Sequence, residues 1–167
     1  MNAPQILSAR VVPGHQVASG QNGDPRFPGG TLKMQASFFR EAGLDLSCYF
    51  GGTINVRIAP CTYQVVRAPL TLWQVKWHPV EPAEDFSFFD VRVRQPEGGA
   101  PVDGKIYYPH PDTKPDHFQS PDVLELLLPY LKGIAAGSEL ILEMDPAQIL
   151  VSCDARLGGP LGSPPEE

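Results

Sequence analysis

The sequence predicts a small, mainly β domain, a barrel with short helices covering its ends, and three observations carry that reading. Short runs of alternating, β-branched and aromatic residues recur along the chain. The 19 prolines and 16 glycines among 167 residues break these runs into short pieces joined by turns and long irregular connections, which disfavours a helical bundle. Only two stretches read as helix, and both are short.

Taken in order, residues 5–18 carry scattered apolar positions ending in Val17 and run into Ser19-Gly20-Gln21-Asn22-Gly23-Asp24-Pro25, a cluster of strong turn formers. This predicts a strand feeding a long loop whose backbone N–H groups could cradle phosphate, with a plain surface loop as the ordinary alternative. Over residues 32–44 the apolar residues Met34, Phe38 and Phe39 recur at helical spacing, and Gly43 is placed to end the helix in a left-handed cap. Both phenylalanines are expected in the core.

Next comes Tyr49-Phe50-Gly51-Gly52-Thr53-Ile54-Asn55-Val56-Arg57-Ile58. Successive strand side chains point to opposite sides, so Ile54, Val56 and Ile58 face a core while Thr53, Asn55 and Arg57 share the other face. Strands are also predicted at residues 62–66, 70–78, 86–93 and 105–108, with a hairpin-like turn at Gly98-Gly99. Trp73, Val75 and Trp77 are expected to pack together on one face.

The loop His110-Pro111-Asp112-Thr113-Lys114-Pro115-Asp116-His117 offers metal-capable side chains. Its spacing matches no common zinc pattern, so a solvated turn is expected. Ser120-Pro121-Asp122 has the look of a helix start. Because Pro129 follows so soon after the apolar run from Val123 to Leu128, a strand fits better. A short helix is predicted over residues 130–136 and a last clear strand over 140–144. Residues 1–150 then form one domain, and 151–167 a tail whose Gly-, Pro- and acid-rich end has little to bury.

The formal charge of −6 argues against non-specific nucleic-acid binding, so any bound phosphate must be met by local groups. No apolar run approaches the ~20 residues that cross a bilayer, and the N-terminus lacks a basic region followed by an apolar one. A cytoplasmic location without membrane partners is the expectation. Cys48, Cys61 and Cys153 lie far apart with no C-x-x-C spacing, so free thiols are expected.

The face shared by Thr53, Asn55 and Arg57 can do chemistry. Hydroxyl and carboxamide oxygens ligate hard cations, and guanidinium pairs with phosphate oxygens. A half-buried edge strand with a polar outer side is the competing explanation.

The order of these parts resembles the archaeal CTP-dependent riboflavin kinases, small six-stranded cradle-loop barrels that make FMN from riboflavin. The likeness runs from about Val17 to Met144. It rests on Val17-Ala18-Ser19-Gly20, the helix with Phe38-Phe39 and Gly43, Gly52-Thr53-Ile54-Asn55-Val56, Ser120 through Glu125 to Pro129, and Ala136-Gly137-Ser138-Glu139. The resemblance implies Mg²⁺ held by Thr53 and Asn55 and CTP or another nucleotide as phosphate donor, to which the strand face itself adds Arg57 on phosphate. It also implies nucleotide contacts from Ser19, Gly20, Gln21, Asn22, Gly23, Tyr130 and Lys132, and flavin contacts from His117 and Glu125. Glu125 would act on the attacking hydroxyl. Asp24 and Pro25 stand where the family keeps a glycine-rich loop, so a non-catalytic flavin- or nucleotide-binding module is the alternative. A structural or partner-binding domain is a third reading.

Overall fold

The computed structural model describes residues 3–13, 30–113 and 119–153. Among the described residues nine strands and one helix make up the fold: β1 (Gln5–Val12), α1 (Thr31–Glu41), β2 (Ile54–Arg57), β3 (Thr62–Val65), β4 (Leu70–Val75), β5 (Glu84–Arg94), β6 (Val102–Pro109), β7 (Val123–Leu127), β8 (Glu139–Met144) and β9 (Ile149–Ser152). The large sheet is antiparallel in the order β4-β5-β6-β7-β2-β1-β8, and β8 returns to pair with β5. A closed six-stranded barrel results, with β4 laid along the outside of one end. β5 reaches both partners because it is 11 residues long: its first half pairs with β4 and its last residues with β8. Closure removes the sheet edges that would otherwise expose unpaired backbone groups.

Alternation along the strands fills the interior. Val56, Ile106, Phe89, Val91, Leu124, Leu126, Leu140 and Leu142 all point inward and are buried, and with them the expected inward face of Val56 and Ile58 is borne out. Where β6 and β7 run side by side, a Cβ on Gly104 would sit 2.6 Å from the Leu127 carbonyl oxygen and 2.5 Å from Leu128 Cδ2. Only a residue without a side chain permits that approach.

The outer faces of β5, β6 and β7 carry a second apolar set, Phe86, Phe88, Tyr107 and Leu127, and α1 lies on it. Phe39 is fully buried and meets the rings of Phe86 and Phe88 edge-on at 5.0 and 5.3 Å. Burial of such a ring contributes about 1.5–3 kcal/mol. Phe38 departs from expectation, being 39% exposed one position around the helix. α1 ends as predicted: Gly43 takes φ 101°, and the N–H groups of Gly43 and Leu44 return to the Arg40 and Phe39 carbonyls at 3.0 and 2.8 Å. That double return is the Schellman arrangement.

Four expectations are corrected. Residues 130–136 form turns rather than a helix, with Gly133 and Gly137 in the left-handed region. Trp73 is 67% exposed while Trp77 is buried, because a register shift between Leu72 and Val75, with Gln74 at φ 53°, breaks the alternation that would have aligned them. β9 follows the strand that looked last. Finally, Cys61 and Cys153 are joined in a disulfide across 92 residues, and only Cys48 is a free thiol. Residues 61 and 153 flank the pair Thr62 and Ser152 at one end of the β3–β9 ribbon, so strand pairing brings together two sulfurs that sequence spacing keeps apart. No helix among the described residues is long and apolar enough to cross a membrane.

Candidate functional site

One row of side chains, each directly opposite the next, crosses the outer barrel face: Leu70, Phe88, Tyr107, Glu125, Asn55 and Val12. Directly paired residues share a face. α1 covers the Phe88 and Tyr107 part of this row, and the Tyr107 hydroxyl donates to Gln35 Oε1 of the helix at 2.9 Å. Glu125 and Asn55 come next in the row and are half-buried.

Thr53, just before β2, donates its hydroxyl hydrogen to Glu125 Oε1 at 3.1 Å. Asn55 Oδ1 accepts from Gln119 Nε2 at 2.9 Å. The structure therefore brings together three residues expected at the site, Thr53, Asn55 and Glu125, and adds Gln119. A tight turn with Gly52 N–H bonded to the Phe50 carbonyl at 2.8 Å leads into β2, and antiparallel pairing places Asn55 opposite Glu125.

Beside this cluster lies a cavity of about 380 Å³. Tyr63, Gln64 and Val65 of β3 line it on one side, and Ile106, Tyr108 and Pro109 of β6 and Leu124 of β7 on another, with Pro111, Gln119 and Pro121 from the β6–β7 connection. Glu125 and Tyr107 also reach it. The volume falls within the ~300–1,000 Å³ of small-molecule sites, and a mostly apolar wall with a few polar groups is their usual composition.

The electrostatics follow from that placement. Burial pushes the Tyr63 phenol up to about 12, with the charges of Tyr108 and Glu125 adding to the effect. Burial likewise holds Tyr107 well above its usual range, helped by Glu125 and Glu84. Burial and Asp112 raise Tyr108. These phenols stay neutral, and the carboxylate gives the cavity a negative potential. Such a pocket favours a planar ligand carrying N–H or O–H donors, and it repels bare phosphate unless a cation intervenes.

The other expected residues lie apart. Arg57 shares the face of Asn55, but its Nε is 3.6 Å from Asp122 Oδ2, and Asp122 in turn accepts from Ser120 at 2.6 Å. Tyr130 and Lys132 are exposed at the other end of β7. Tyr130 sits 6.2 Å from the ring of Phe50, which is also exposed, and Phe50 N–H bonds to the Leu128 carbonyl. Ser19, Gly20, Gln21, Asn22, Gly23 and His117 lie outside the described residues. His110 is tied to Ser87, whose oxygen is 2.6 Å from Nε2. Among the described residues no group of three or more His, Cys, Asp or Glu side chains gathers as a metal site.

Gln119, Tyr63, Tyr108 and Phe50 were not singled out from the sequence. The adjacent tyrosines Tyr107-Tyr108 were a visible signal, one for each face of β6, whereas nothing local marks Gln119. Compared with known proteins, the chain matches no family model and no curated protein.

Proposed function

We propose that this chain binds a flavin-like ligand, a planar heterocycle with a hydroxylated side chain, and transfers phosphate to it from a nucleotide, as a riboflavin kinase does. The observation that carries the reading is the gathering of Thr53 and Asn55 around Glu125 on the rim of a tyrosine-walled cavity. Tyrosine and aliphatic walls suit a ring system, and Glu125 and Gln119 suit its hydrogen-bonding edge or hydroxyls.

Glu125 is the residue to receive the proton of the attacking hydroxyl, and Thr53 orients its carboxylate through Oε1. The donor set fits Mg²⁺: Thr53 Oγ1, Asn55 Oδ1 and the Glu125 carboxylate are hard oxygens carrying one formal negative charge. When bound, that ion would neutralise charge on the phosphoryl group being moved. Gly51 and Gly52 join this cluster to the exposed Phe50–Tyr130 pair, where a nucleotide base could stack with its phosphates directed toward Thr53. CTP is the donor the family resemblance favours.

Incubation of the pure chain with riboflavin, CTP or ATP, and Mg²⁺, followed by chromatography for FMN, tests the reading. FMN formation that requires both nucleotide and Mg²⁺ supports it. Quenching of riboflavin fluorescence without FMN replaces it with a second reading, a non-catalytic flavin-binding module. The bonds holding Asn55 to Gln119 and Arg57 to Asp122 favour that second reading, because both side chains are engaged within the protein. Absence of both signals overturns the two together.

A further inference from the structure

β3 is both a cavity wall and one half of the two-stranded ribbon it makes with β9, which is separate from the barrel sheet. The ribbon has four rungs, from Thr62–Ser152 at one end to Val65–Ile149 at the other. A two-stranded ribbon this short is marginal alone, so its attachments decide its rigidity.

Those attachments differ between the ends. At the Val65–Ile149 end, the Gln148 carbonyl accepts from Val66 and Arg67, and its side chain exchanges hydrogen bonds with Asp90 of β5 at 2.9 and 3.0 Å. At the other end, β3 is held by Tyr63 N–H to the Pro121 carbonyl at 3.0 Å, and β9 by Val151 N–H to Gln5 Oε1 at 3.0 Å. Beyond Ser152, the Cys61–Cys153 bond joins the two strands covalently. Cys153 is exposed while Cys61 is nearly buried, so a thiolate from solution has access to one sulfur.

We infer that the Cys61–Cys153 disulfide is a redox clasp on the cavity: oxidised, it holds the Tyr63 end of β3 as a wall, and reduced, it lets that end of the ribbon part and weakens ligand binding. A soluble thiol of the dithiol class supplies the electrons. Its thiolate attacks Cys153 Sγ, the bond to Cys61 breaks, and Cys61 leaves as a thiolate that takes up a proton. The reductant's second thiol then displaces Cys153, giving two protein thiols and one oxidised reductant.

The test compares oxidised full-length chain with chain reduced by dithiothreitol. Alkylation before reduction marks only Cys48 of the 3 cysteines and after reduction marks all of them. Labelling of all of them without reductant overturns the inference. Amide hydrogen exchange then reads the ribbon. Antiparallel alternation gives the cross-ribbon bonds to the pairs Thr62–Ser152 and Gln64–Leu150. Reduction accelerates exchange on the order of tenfold at Thr62 and Ser152, and leaves Val66 and barrel strands β5 and β6 unchanged. Unchanged exchange at Thr62 and Ser152, or loss of protection throughout the barrel, overturns the clasp, and the double variant Cys61→Ala/Cys153→Ala reproduces the reduced pattern if it is correct.

The ligand arm rests on the flavin reading above. Riboflavin affinity, followed by fluorescence, falls about fivefold or more on reduction. If riboflavin binds neither form, that reading fails while exchange still decides the clasp. If it binds both forms equally, the clasp fails and the reading stands.

Discussion

Two polar networks thread this barrel, and they differ in what surrounds them. Around Ser87, the hydroxyl lies 2.8 Å from Thr71 Oγ1 and 2.6 Å from His110 Nε2. The surrounding groups are locked by backbone: His110 N–H to the Asp85 carbonyl, Asp85 N–H to Thr113 Oγ1, and Gln74 N–H to Asp85 Oδ1. Ser87 and Asp85 are buried, and this network fastens β4, β5 and the start of the β6–β7 connection together. Around Glu125 the half-buried side chains of Thr53, Asn55 and Gln119 join it in two bonded pairs, Thr53 to Glu125 and Gln119 to Asn55, on the rim of a cavity. A buried group whose neighbours are backbone-locked cannot take a ligand without local unfolding, whereas a half-buried cluster on a cavity rim faces room for one. The Ser87 network is thus read as structural despite its serine and histidine, and the Glu125 cluster as the proposed site.

The sharpest way to break this comparison is Glu125→Gln. The change keeps size and loses the carboxylate, so it lowers FMN formation by at least ~100-fold, the scale of a lost general base. Thermal unfolding should move little. Asn55→Ala should act in the same direction, through weaker dependence on Mg²⁺. Full turnover in Glu125→Gln would return the cluster to the status of a polar rim.

Ser87→Ala supplies the mirror image. It leaves Thr71 and His110 without their shared partner in a buried setting, for a loss of about 1–3 kcal/mol in denaturant unfolding. Riboflavin binding and FMN formation should be unchanged at temperatures where the variant is folded. Loss of activity without loss of stability would mean that the two networks have been assigned the wrong way round.

This division was only partly legible in the sequence. The alternation through Val56 and Ile58, the Gly43 helix end, and the choice of strand over helix for Val123–Leu127 are local properties, and periodicity and proline placement report them directly. Thr53 and Asn55 were visible for the same reason. What stayed hidden is long-range. Gln119 meets Asn55 and Cys61 meets Cys153 through pairings separated by 64 and 92 residues, which depend on the order of strands in the sheet. The exposed Trp73 traces to one bulge, a backbone irregularity that its neighbours do not announce.

A smaller effect sharpens the account of the cavity wall. Tyr63 has its phenol raised from 10.0 to about 12, chiefly by burial. A group whose folded value is raised contributes stability that is complete below its unfolded value and is lost as pH rises through the folded value. Unfolding free energy should therefore decline between about pH 10 and 12, with Tyr107 adding to the loss. Tyr63→Phe should flatten part of that decline, and tyrosinate absorbance should show one fewer late-titrating phenol. An identical alkaline slope in the variant would mean that Tyr63 is open to solvent rather than part of the wall.

The smallest effect belongs to a third polar group, on the barrel exterior. Asp90 receives hydrogen bonds from Lys105, its cross-strand partner, and from Gln148, and these outweigh the burial that would raise its carboxyl, so its pKa lies below the ordinary 3.8. A depressed carboxyl contributes stability above the unfolded value, and that contribution is lost as pH falls through the folded one. With half of the Asp90 side chain exposed, solvent screening keeps the worth of the pair under about 1 kcal/mol. Asp90→Asn should lower the melting temperature slightly at neutral pH, less so in high salt, and not at all once the pH is below the folded value. A large, salt-independent loss would place Asp90 with the backbone-locked network, since its own N–H also bonds to Gln148. The measurement therefore asks whether the Gln148 anchor of the ribbon depends on charge or on amide hydrogen bonds alone.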